Sequence, residues 1–183
     1  MISKFVITGI AAVNQQNILG INGKMPWGQI KGDLAFYKQM TLNKTLVCGG
    51  NTYKSLPKAA LANRQTFVIT RQEPENLPEN VHFINEFPCP GFIIDDIKDK
   101  AISKEIMIIG GGLIYQAFQE QYDKFYLTEI SGKDFTTKNK EVTYFETDLK
   151  KRIAEKQWTN KIIDWFIEEN HIGKFDVKIQ EWS

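Results

Sequence analysis

Six short apolar runs, rich in β-branched and aromatic residues, limit the fold of this chain more than any other feature. They are KFVITGIAAV (4–13), KTLVCGG (44–50), QTFVIT (65–70), VHFI (81–84), EIMIIG (105–110) and KFYLTEI (124–130). Most are continuously apolar, which is typical of strands covered on both faces. Helix-like segments lie at 33–40, 51–56, 96–103 and 112–120. The alternation predicts an α/β protein with a mixed, mostly parallel central sheet and helices on both faces.

The C-terminal part has a different pattern. IIDWFIEE (162–169) and KFDVKIQEW (174–182) alternate more clearly and flank NHIG, which predicts an antiparallel hairpin. Residues 131–161 are polar and are predicted to be mostly loop, and the prolines around Cys89 predict another loop. The 183 residues have ordinary globular composition and contain no repeat or long linker, so we expect a single domain over 1–183.

Charge and cysteine content exclude several classes of function. The formal net charge is +1, from 23 basic and 22 acidic residues, so a nucleic-acid partner is not expected. Cys48 and Cys89 make no disulfide framework, and we expect free thiols in a cytoplasmic protein. The opening run MISKFVITGIAAV lacks an A-x-A-like cleavage site and is shorter than the roughly 20 apolar residues of a membrane span, so no membrane association is expected. The sequence shows no long apolar heptads, which favours a monomer, and no His/Cys cluster that predicts a metal.

Two strand-to-helix junctions are rich in glycine. In IMIIGGGLIYQAF a strand runs into Gly110, Gly111 and Gly112, and in LVCGGNTYKSLP another ends at Gly49 and Gly50. Glycine lets the backbone approach a ligand closely, and free amides at a helix start attract phosphate. Ordinary tight turns or capped helices would give the same pattern. Neither segment has the G-x-G-x-x-G pattern of a Rossmann fingerprint.

The run FVITRQ places Thr70 and Arg71 at the end of a third strand. In open α/β sheets, ligands bind beyond the carboxyl ends of the strands, so these groups and the glycines would share one rim. Two phosphate cradles and an arginine suit a dinucleotide that carries an extra phosphate. The alternative is that Arg71 is an ordinary solvated cation.

The segment MPWGQIKGD ends in a carboxylate, Asp33, at the start of a helix-like run. Asp33, Tyr37 and Met40 have the i, i+4, i+7 spacing of one helix face, and Leu34 is adjacent. Asp33 could be a first-turn acid that stabilises its helix. The functional interpretation is a buried carboxylate that accepts two parallel hydrogen bonds from a planar, amidine-like group.

Five blocks together resemble the type I, chromosomal-like dihydrofolate reductase family. They are ILGINGKMPWGQIKGDLAFYKQMT, GGNTYKSLP, NRQTFVITR, IMIIGGGLIYQAF and FYLTEI, in the family's order over roughly residues 5–130. The resemblance implies a dihydrofolate reductase-like fold, hydride transfer from NADPH to C6 of 7,8-dihydrofolate and protonation of N5. It also implies a place in tetrahydrofolate synthesis and one-carbon metabolism, antifolate inhibitors as ligands, and a cis peptide between Gly110 and Gly111.

The resemblance also implies roles for individual residues. Met25 would lie in a mobile lid that Pro26 stiffens. Trp27 would help to hold a proton-relaying water. Asp33 and Thr128 would bind the polar edge of the pterin. These four (Met25, Trp27, Asp33, Thr128) form the implied catalytic set. The other implied substrate contacts are Ile10, Ala11, Leu34, Tyr37, Leu56, Arg64, Ile109 and Tyr115, with Arg64 holding the glutamate α-carboxylate. The implied NADPH contacts are Ala12, Ile18, Leu19, Gly20, Gly50, Asn51, Thr52, Thr70, Arg71, Gly110, Gly111, Gly112, Leu113, Ile114 and Tyr115.

Three positions depart from the family pattern. Gly50 and Leu113 stand where relatives often have arginine, so two cations that would be expected to bind the cofactor are missing. Val142 stands where relatives have an aspartate before Thr-Tyr-Phe or Thr-His-Phe, which affects how the lid is held.

Two functions are alternatives to dihydrofolate reduction. One is that of a same-fold pyrimidine reductase of riboflavin synthesis, and the other is that of a weakly catalytic folate- or nucleotide-binding structural protein.

Overall fold

All six predicted apolar runs form β-strands. The computed structural model describes residues 4–72, 77–85, 89–132, 135–155, 158–163 and 176–183. The strands are β1 (Val6–Asn14), β2 (Ile18–Ile21), β3 (Thr45–Gly49), β4 (Gln65–Ile69), β5 (Val81–Ile84), β6 (Glu105–Gly110), β7 (Lys124–Ser131), β8 (Val142–Tyr144), β9 (Asn160–Ile162) and β10 (Asp176–Trp182). The helices are α1 (Lys31–Thr41), α2 (Gly50–Ser55), α3 (Lys58–Leu61), α4 (Pro90–Lys100), α5 (Gly112–Ala117) and α6 (Thr147–Glu155).

The main sheet has eight strands in the order β5-β4-β3-β6-β1-β7-β10-β9. The pairs β5–β4, β4–β3, β3–β6 and β6–β1 are parallel, whereas β7–β10 and β10–β9 are antiparallel. A second sheet contains only the antiparallel pair β2–β8. The prediction of an α/β fold with a mixed, mostly parallel sheet is therefore confirmed.

The chain forms two compact units. The first unit contains Met1–Gly9 and Thr41–Asp123. Its core comes from the continuously apolar strands, where Val47 on β3, Val68 on β4 and Ile108 on β6 are fully buried. Helix α4 adds Ile93, Ile94 and Ile97, three buried residues with the spacing of one helix face.

The second unit contains Ile10–Met40 and Lys124–Ser183. Phe36 on α1 meets the ring of Tyr126 on β7 edge-on, with 5.3 Å between ring centroids. Phe125 on β7 packs against Phe145, just after β8, with 5.7 Å between centroids. These aromatic contacts fix α1 and β8 to β7.

Three sequence predictions about local structure are corrected. The helix predicted at 96–103 is α4, which begins at Pro90 and ends at Lys100. Cys89, predicted to be in a loop, is the N-cap of this helix, because proline is well suited to the first helical position. The stretch 131–161 is not mostly loop, because it contains β8 and α6. β8 is too short, at three residues, for a periodic pattern, and the helical spacing of Leu149 and Ile153 in α6 is set among charged residues.

The C-terminal hairpin is confirmed only in its pairing. β9 pairs antiparallel with β10, from Asn160 opposite Trp182 to Ile162 opposite Gln180. The predicted turn around NHIG, and the part of the predicted strand that follows Ile163, lie outside the described residues. β10 also pairs with β7 over its whole length. In the described ranges, no helix is long and apolar enough to cross a lipid bilayer.

Both cysteines are free thiols, as predicted. Cys48 is buried in β3, and burial raises the pKa of its thiol to about 12. Cys89 is exposed.

Candidate active site

A carboxylate on α1 and a hydroxyl on β7 form the polar centre of the second unit. Asp33 lies in the first turn of α1 and accepts a hydrogen bond from the side chain of Thr128, which is buried. Burial raises the pKa of Asp33 above the ordinary value of 3.8, and the Thr128 hydrogen bond opposes part of this rise. The Asp33 carboxyl group is desolvated by burial, although the residue as a whole is only half-buried.

Other predicted substrate residues of this unit surround the same elements. Ile10 and Ala11 are buried on β1, whereas Tyr37 is half-buried one turn after Asp33 on α1. Leu34 is 38% exposed, which is high for a leucine on a helix whose opposite face carries the buried Phe36. The helix therefore presents an acid, an aromatic ring and an accessible aliphatic side chain within its first two turns.

The segment between β2 and α1 holds the two other predicted catalytic residues. Met25 is 41% exposed, whereas Trp27 is 7% exposed. The indole Nε1 of Trp27 is buried and has no hydrogen-bond partner among the described residues. A buried polar donor without a partner is rare in proteins and calls for an explanation, such as a bound water. The predicted cofactor residues of this unit lie on β1 and β2, with Ile18 buried and Ala12, Leu19 and Gly20 half-buried.

In the first unit, two glycine junctions lie side by side. A Cβ atom added to Gly49 would lie 3.1 Å from Ile114 of α5, and one added to Gly111 would lie 3.1 Å from Thr52 of α2. Each junction is therefore in contact with the helix that follows the other. Gly110 has a φ of +105°, and the peptide between Gly110 and Gly111 is cis, as the resemblance implied.

The end of β4 lies next to these junctions. A Cβ atom on Gly50 would lie 2.7 Å from Oγ1 of Thr70, so the start of α2 touches the residue that follows β4. A Cβ atom on Gly110 would likewise lie 2.8 Å from the ring of Tyr115. Packing against Thr70 and Tyr115 therefore requires glycine at positions 50 and 110. Backbone without a Cβ at these junctions is also compatible with the close approach of a dinucleotide phosphate.

The remaining predicted residues of the first unit differ in accessibility. Arg71 and Asn51 are exposed, Leu56 is half-buried, and Ile109, Ile114 and Tyr115 are buried. Leu113, the residue after the glycine triplet, is 83% exposed. Arg64 is buried, and its guanidinium group donates to Oγ1 of Thr41 at 2.9 Å and to the carbonyl of Ala62 at 2.6 Å. That Arg64 binds the α-carboxylate of the folate glutamate stays a prediction.

Two residues that lie in or contact the segment between β2 and α1 were not identified from the sequence. The ring of Phe135 lies edge-on to Trp27, with 6.5 Å between centroids. Asn22, in the turn that follows β2, bonds to Glu141. Phe135 is an aromatic residue in an otherwise polar stretch, which was an available signal, and Asn22-Gly23 is a recognised hairpin dipeptide.

Comparison with known proteins gives one consistent family. A family model described as dihydrofolate reductase matches residues 6–165. A dihydrofolate reductase of Buchnera aphidicola (from Acyrthosiphon pisum) is 32% identical over 155 residues, covering 80% of this chain and 88% of that protein. One of Haemophilus influenzae is 32% identical over 121 residues, covering 66% of this chain and 69% of that protein. A solved dihydrofolate reductase from Enterococcus faecalis, complexed with NADP(H) and RAB-propyl, has a TM-score of 0.67 and 23% identity, covering 97% of this chain and 95% of its own.

Proposed function

The chain belongs to the dihydrofolate reductase family, and from this premise we propose that it reduces 7,8-dihydrofolate to 5,6,7,8-tetrahydrofolate with NADPH. The observation that carries the proposal is the desolvated Asp33 carboxyl, hydrogen-bonded to Thr128 on the neighbouring strand. A carboxylate held in this way suits the 2-amino group and N3 of a pterin, because it can accept two parallel hydrogen bonds from one planar group.

Asp33 also contributes electrostatically. Protonation of N5 places positive charge on the pterin, and a carboxylate at the other end of the ring stabilises that charge. Thr128 fixes the orientation of the carboxyl group through its hydroxyl.

Trp27 is proposed to hold the water that delivers the proton to N5. Its Nε1 is a buried donor without a partner among the residues described, so a water bound there would satisfy it. Met25, two residues earlier and partly exposed, would cover the reacting rings. Both residues would keep bulk water away from the reaction.

NADPH, which supplies the hydride, is proposed to bind the backbone of Gly50 and of Gly110–Gly112, together with Thr52, Thr70 and Arg71. The further NADPH contacts that the family resemblance implies are Ala12, Ile18, Leu19, Gly20, Asn51, Leu113, Ile114 and Tyr115. Gly50 carries no cation, so Arg71 is proposed to be the main group that recognises the 2′-phosphate.

The remaining roles concern the folate. Ile10 and Ala11 would offer backbone groups to the pterin, and Leu34, Tyr37, Leu56 and Ile109 would form apolar walls around the ring and the benzoyl group. Arg64 would bind the α-carboxylate of the glutamate. The same surfaces would bind antifolate inhibitors. We further propose that the protein acts as a cytoplasmic monomer without a nucleic-acid or membrane partner, consistent with its net charge of +1.

The decisive experiment follows NADPH absorbance after addition of dihydrofolate. We expect oxidation of NADPH only when dihydrofolate is present. Asp33→Asn should lower turnover by orders of magnitude at neutral pH, because an amide accepts at one atom only and carries no charge. Asp99→Asn, on an exposed part of α4, is the matched control and should match the parent. Parent-like turnover of Asp33→Asn would remove Asp33 from the site, and inactivity of the parent would contradict the proposed reaction.

A further inference from the structure

The turn that follows α5 is fixed to the start of β1. The backbone N–H of Asp123 donates to the carbonyl of Ile7 at 2.9 Å, and the backbone N–H of Ile7 donates to Oδ2 of Asp123, also at 2.9 Å. The other carboxylate oxygen of Asp123 accepts a hydrogen bond from Lys4 at 3.2 Å. Asp123 therefore binds both backbone groups of Ile7, and the residue directly before it, Tyr122, is held in place with it.

The side chain of Tyr122 reaches back to α5. Tyr122 is 3% exposed, and its hydroxyl donates to the main-chain carbonyl of Tyr115 at 3.1 Å. Burial raises the pKa of Tyr122 well above its ordinary value of 10.0, and the electrostatic effect of Tyr115 adds to the rise. The phenol of Tyr122 therefore stays protonated at neutral and moderately alkaline pH, and it remains a hydrogen-bond donor.

This hydrogen bond lies where α5 ends. The last four carbonyls of an α-helix have no partner within the helix and need donors from outside, and the Tyr115 carbonyl is among the last four of α5. The neighbouring carbonyls of Ile114 and Gln116 accept backbone N–H groups from the residues that follow α5, at 3.1 and 3.3 Å. Tyr122 supplies a side-chain donor to the carbonyl between them, so it caps the C-terminus of α5.

The ring of Tyr115 packs on the glycine junction at the other side. A Cβ atom added to Gly110 would lie 2.8 Å from Cε2 and Cζ of Tyr115 and 2.9 Å from its Oη. Tyr115 is thus held at two points, its ring at Gly110 and its carbonyl at Tyr122. Because α5 has only six residues, its position depends on such tertiary contacts.

We propose that Tyr122 is a positioning residue of the reductase: its hydroxyl caps α5 at Tyr115 and thereby fixes the Tyr115 ring beside the glycine junction. The inference rests on the proposed function for its effect on catalysis, because Tyr115 is a proposed contact of both substrate and cofactor. Tyr122, Tyr115 and Gly110 all belong to the first unit. In this proposal Tyr122 acts on the reaction only through Tyr115.

The test uses substitutions that remove single hydroxyl groups. Tyr122→Phe removes the cap and keeps the buried ring, so the packing of the turn is retained. Tyr126→Phe is the matched control, because Tyr126 is also a buried tyrosine, 6% exposed, but lies on β7 in the second unit. Tyr115→Phe, alone and combined with Tyr122→Phe, shows whether the two tyrosines act on the same step.

The first readout is the nuclear magnetic resonance signal of the Tyr115 carbonyl carbon in the protein without ligands. Loss of a hydrogen bond shifts a carbonyl carbon signal upfield, so we expect this shift in Tyr122→Phe and none in Tyr126→Phe. An unchanged signal in Tyr122→Phe would overturn the proposal. If that variant did not fold, slow exchange of the Tyr122 hydroxyl proton in the parent would support the hydrogen bond, and fast exchange would overturn it.

The second readout separates positioning from stability. In single turnovers with saturating NADPH and dihydrofolate, far below the melting temperature, Tyr122→Phe should slow the hydride step by roughly 2- to 12-fold, the range for loss of one neutral hydrogen bond. Tyr126→Phe should match the parent. A lower melting temperature with an unchanged hydride step would overturn the proposal, because Tyr122 would then serve stability alone.

The double variant tests the route of the effect. Its hydride step should be slowed by less than the product of the two single effects, as expected for residues that act through one contact. Fully multiplicative effects would overturn the proposal, because Tyr122 would then act independently of Tyr115. If the parent showed no turnover, the proposed function would fail, whereas the carbonyl signal would still decide whether Tyr122 caps α5.

Discussion

At the scale of single residues, Asp33 is proposed to serve catalysis, yet its burial lowers the stability of the fold once it is ionised. Burial holds its pKa above the ordinary value, so the folded protein binds the Asp33 proton more tightly than the unfolded chain. Stability from this group is therefore fully present below the unfolded pKa of about 3.9, and it is lost as the pH rises through the folded pKa. Above its folded pKa the ionised Asp33 therefore destabilises the fold, which is typical of a residue retained for function.

This argument predicts that Asp33→Asn increases stability at neutral pH while it removes activity. The amide is neutral at every pH and can still accept the Thr128 hydrogen bond. Urea unfolding of both proteins should show a more stable variant at pH 7 and a difference that disappears below the unfolded pKa of about 3.9. A variant that is less stable than the parent at pH 7 would mean that the folded state stabilises the ionised carboxylate.

Arg71 gives the second prediction at this scale. A charge-assisted hydrogen bond contributes about 1.5–3 kcal/mol, so one arginine can provide roughly 10- to 150-fold preference for NADPH over NADH. Arg71→Ala should raise KM for NADPH and leave KM for NADH nearly unchanged, because NADH lacks the 2′-phosphate. The check is KM for both cofactors in both proteins. Equal weakening of the two would instead assign Arg71 to the pyrophosphate or to structure, and Lys54 and Lys58 would then be the next candidates.

At the scale of elements, Thr70, just after β4, limits the size of the residue that can start α2. A Cβ atom on Gly50 would lie 2.7 Å from Oγ1 and 2.8 Å from Cβ of Thr70, and a branched side chain there cannot move aside without moving its strand. The glycine at this position is thus a packing requirement of this chain as well as a departure from the family's arginine. Restoring the arginine alone would push α2 away from β4.

We therefore predict that Gly50→Ala destabilises the protein by about 1–3 kcal/mol, the usual cost of overpacking. Gly91→Ala is the matched control, because Gly91 also lies in the first turn of a helix and, among the described residues, its added Cβ would meet only Sγ of Cys89, at 4.0 Å. That change should be neutral or stabilising by up to about 1 kcal/mol. Chemical denaturation measures both, and equal effects at the two glycines would refute the packing argument.

Elements also show what sequence patterns can and cannot predict. The buried strands were identified because their runs are continuously apolar, and α1 because its helix face carries a recognisable spacing. β2 and β8 contain only four and three residues, too few for a periodic pattern. α6 has helical spacing in Leu149 and Ile153, but it is mostly charged and lies in a polar stretch, so this signal was missed. The glycine junctions were predicted from local sequence. Their mutual contacts, such as Gly111 with Thr52, depend on which strands become neighbours and required the structure.

At the scale of the whole molecule, ligand binding should appear as stability. A ligand that binds only the folded state at 100 times its Kd adds about 2.7 kcal/mol, which is roughly 5–11 °C in Tm for a chain of this size. NADPH should therefore raise Tm by several degrees, and NADH at the same concentration should raise it less. Thermal unfolding followed by circular dichroism measures this. Equal shifts from the two cofactors would contradict recognition of the 2′-phosphate.

The order of strands within the second unit has a consequence for biosynthesis. β10 lies between β7 and β9 in the sheet, yet it is the last of the three to leave the ribosome. During synthesis of the chain from Ser131 to Asp176, the edge of β7 that β10 later covers exposes its backbone groups on an apolar strand. An uncovered edge of this kind can pair with other chains, so we expect the nascent protein to be most prone to aggregation over this interval. A stop codon placed in this interval would leave that edge uncovered for the lifetime of the product.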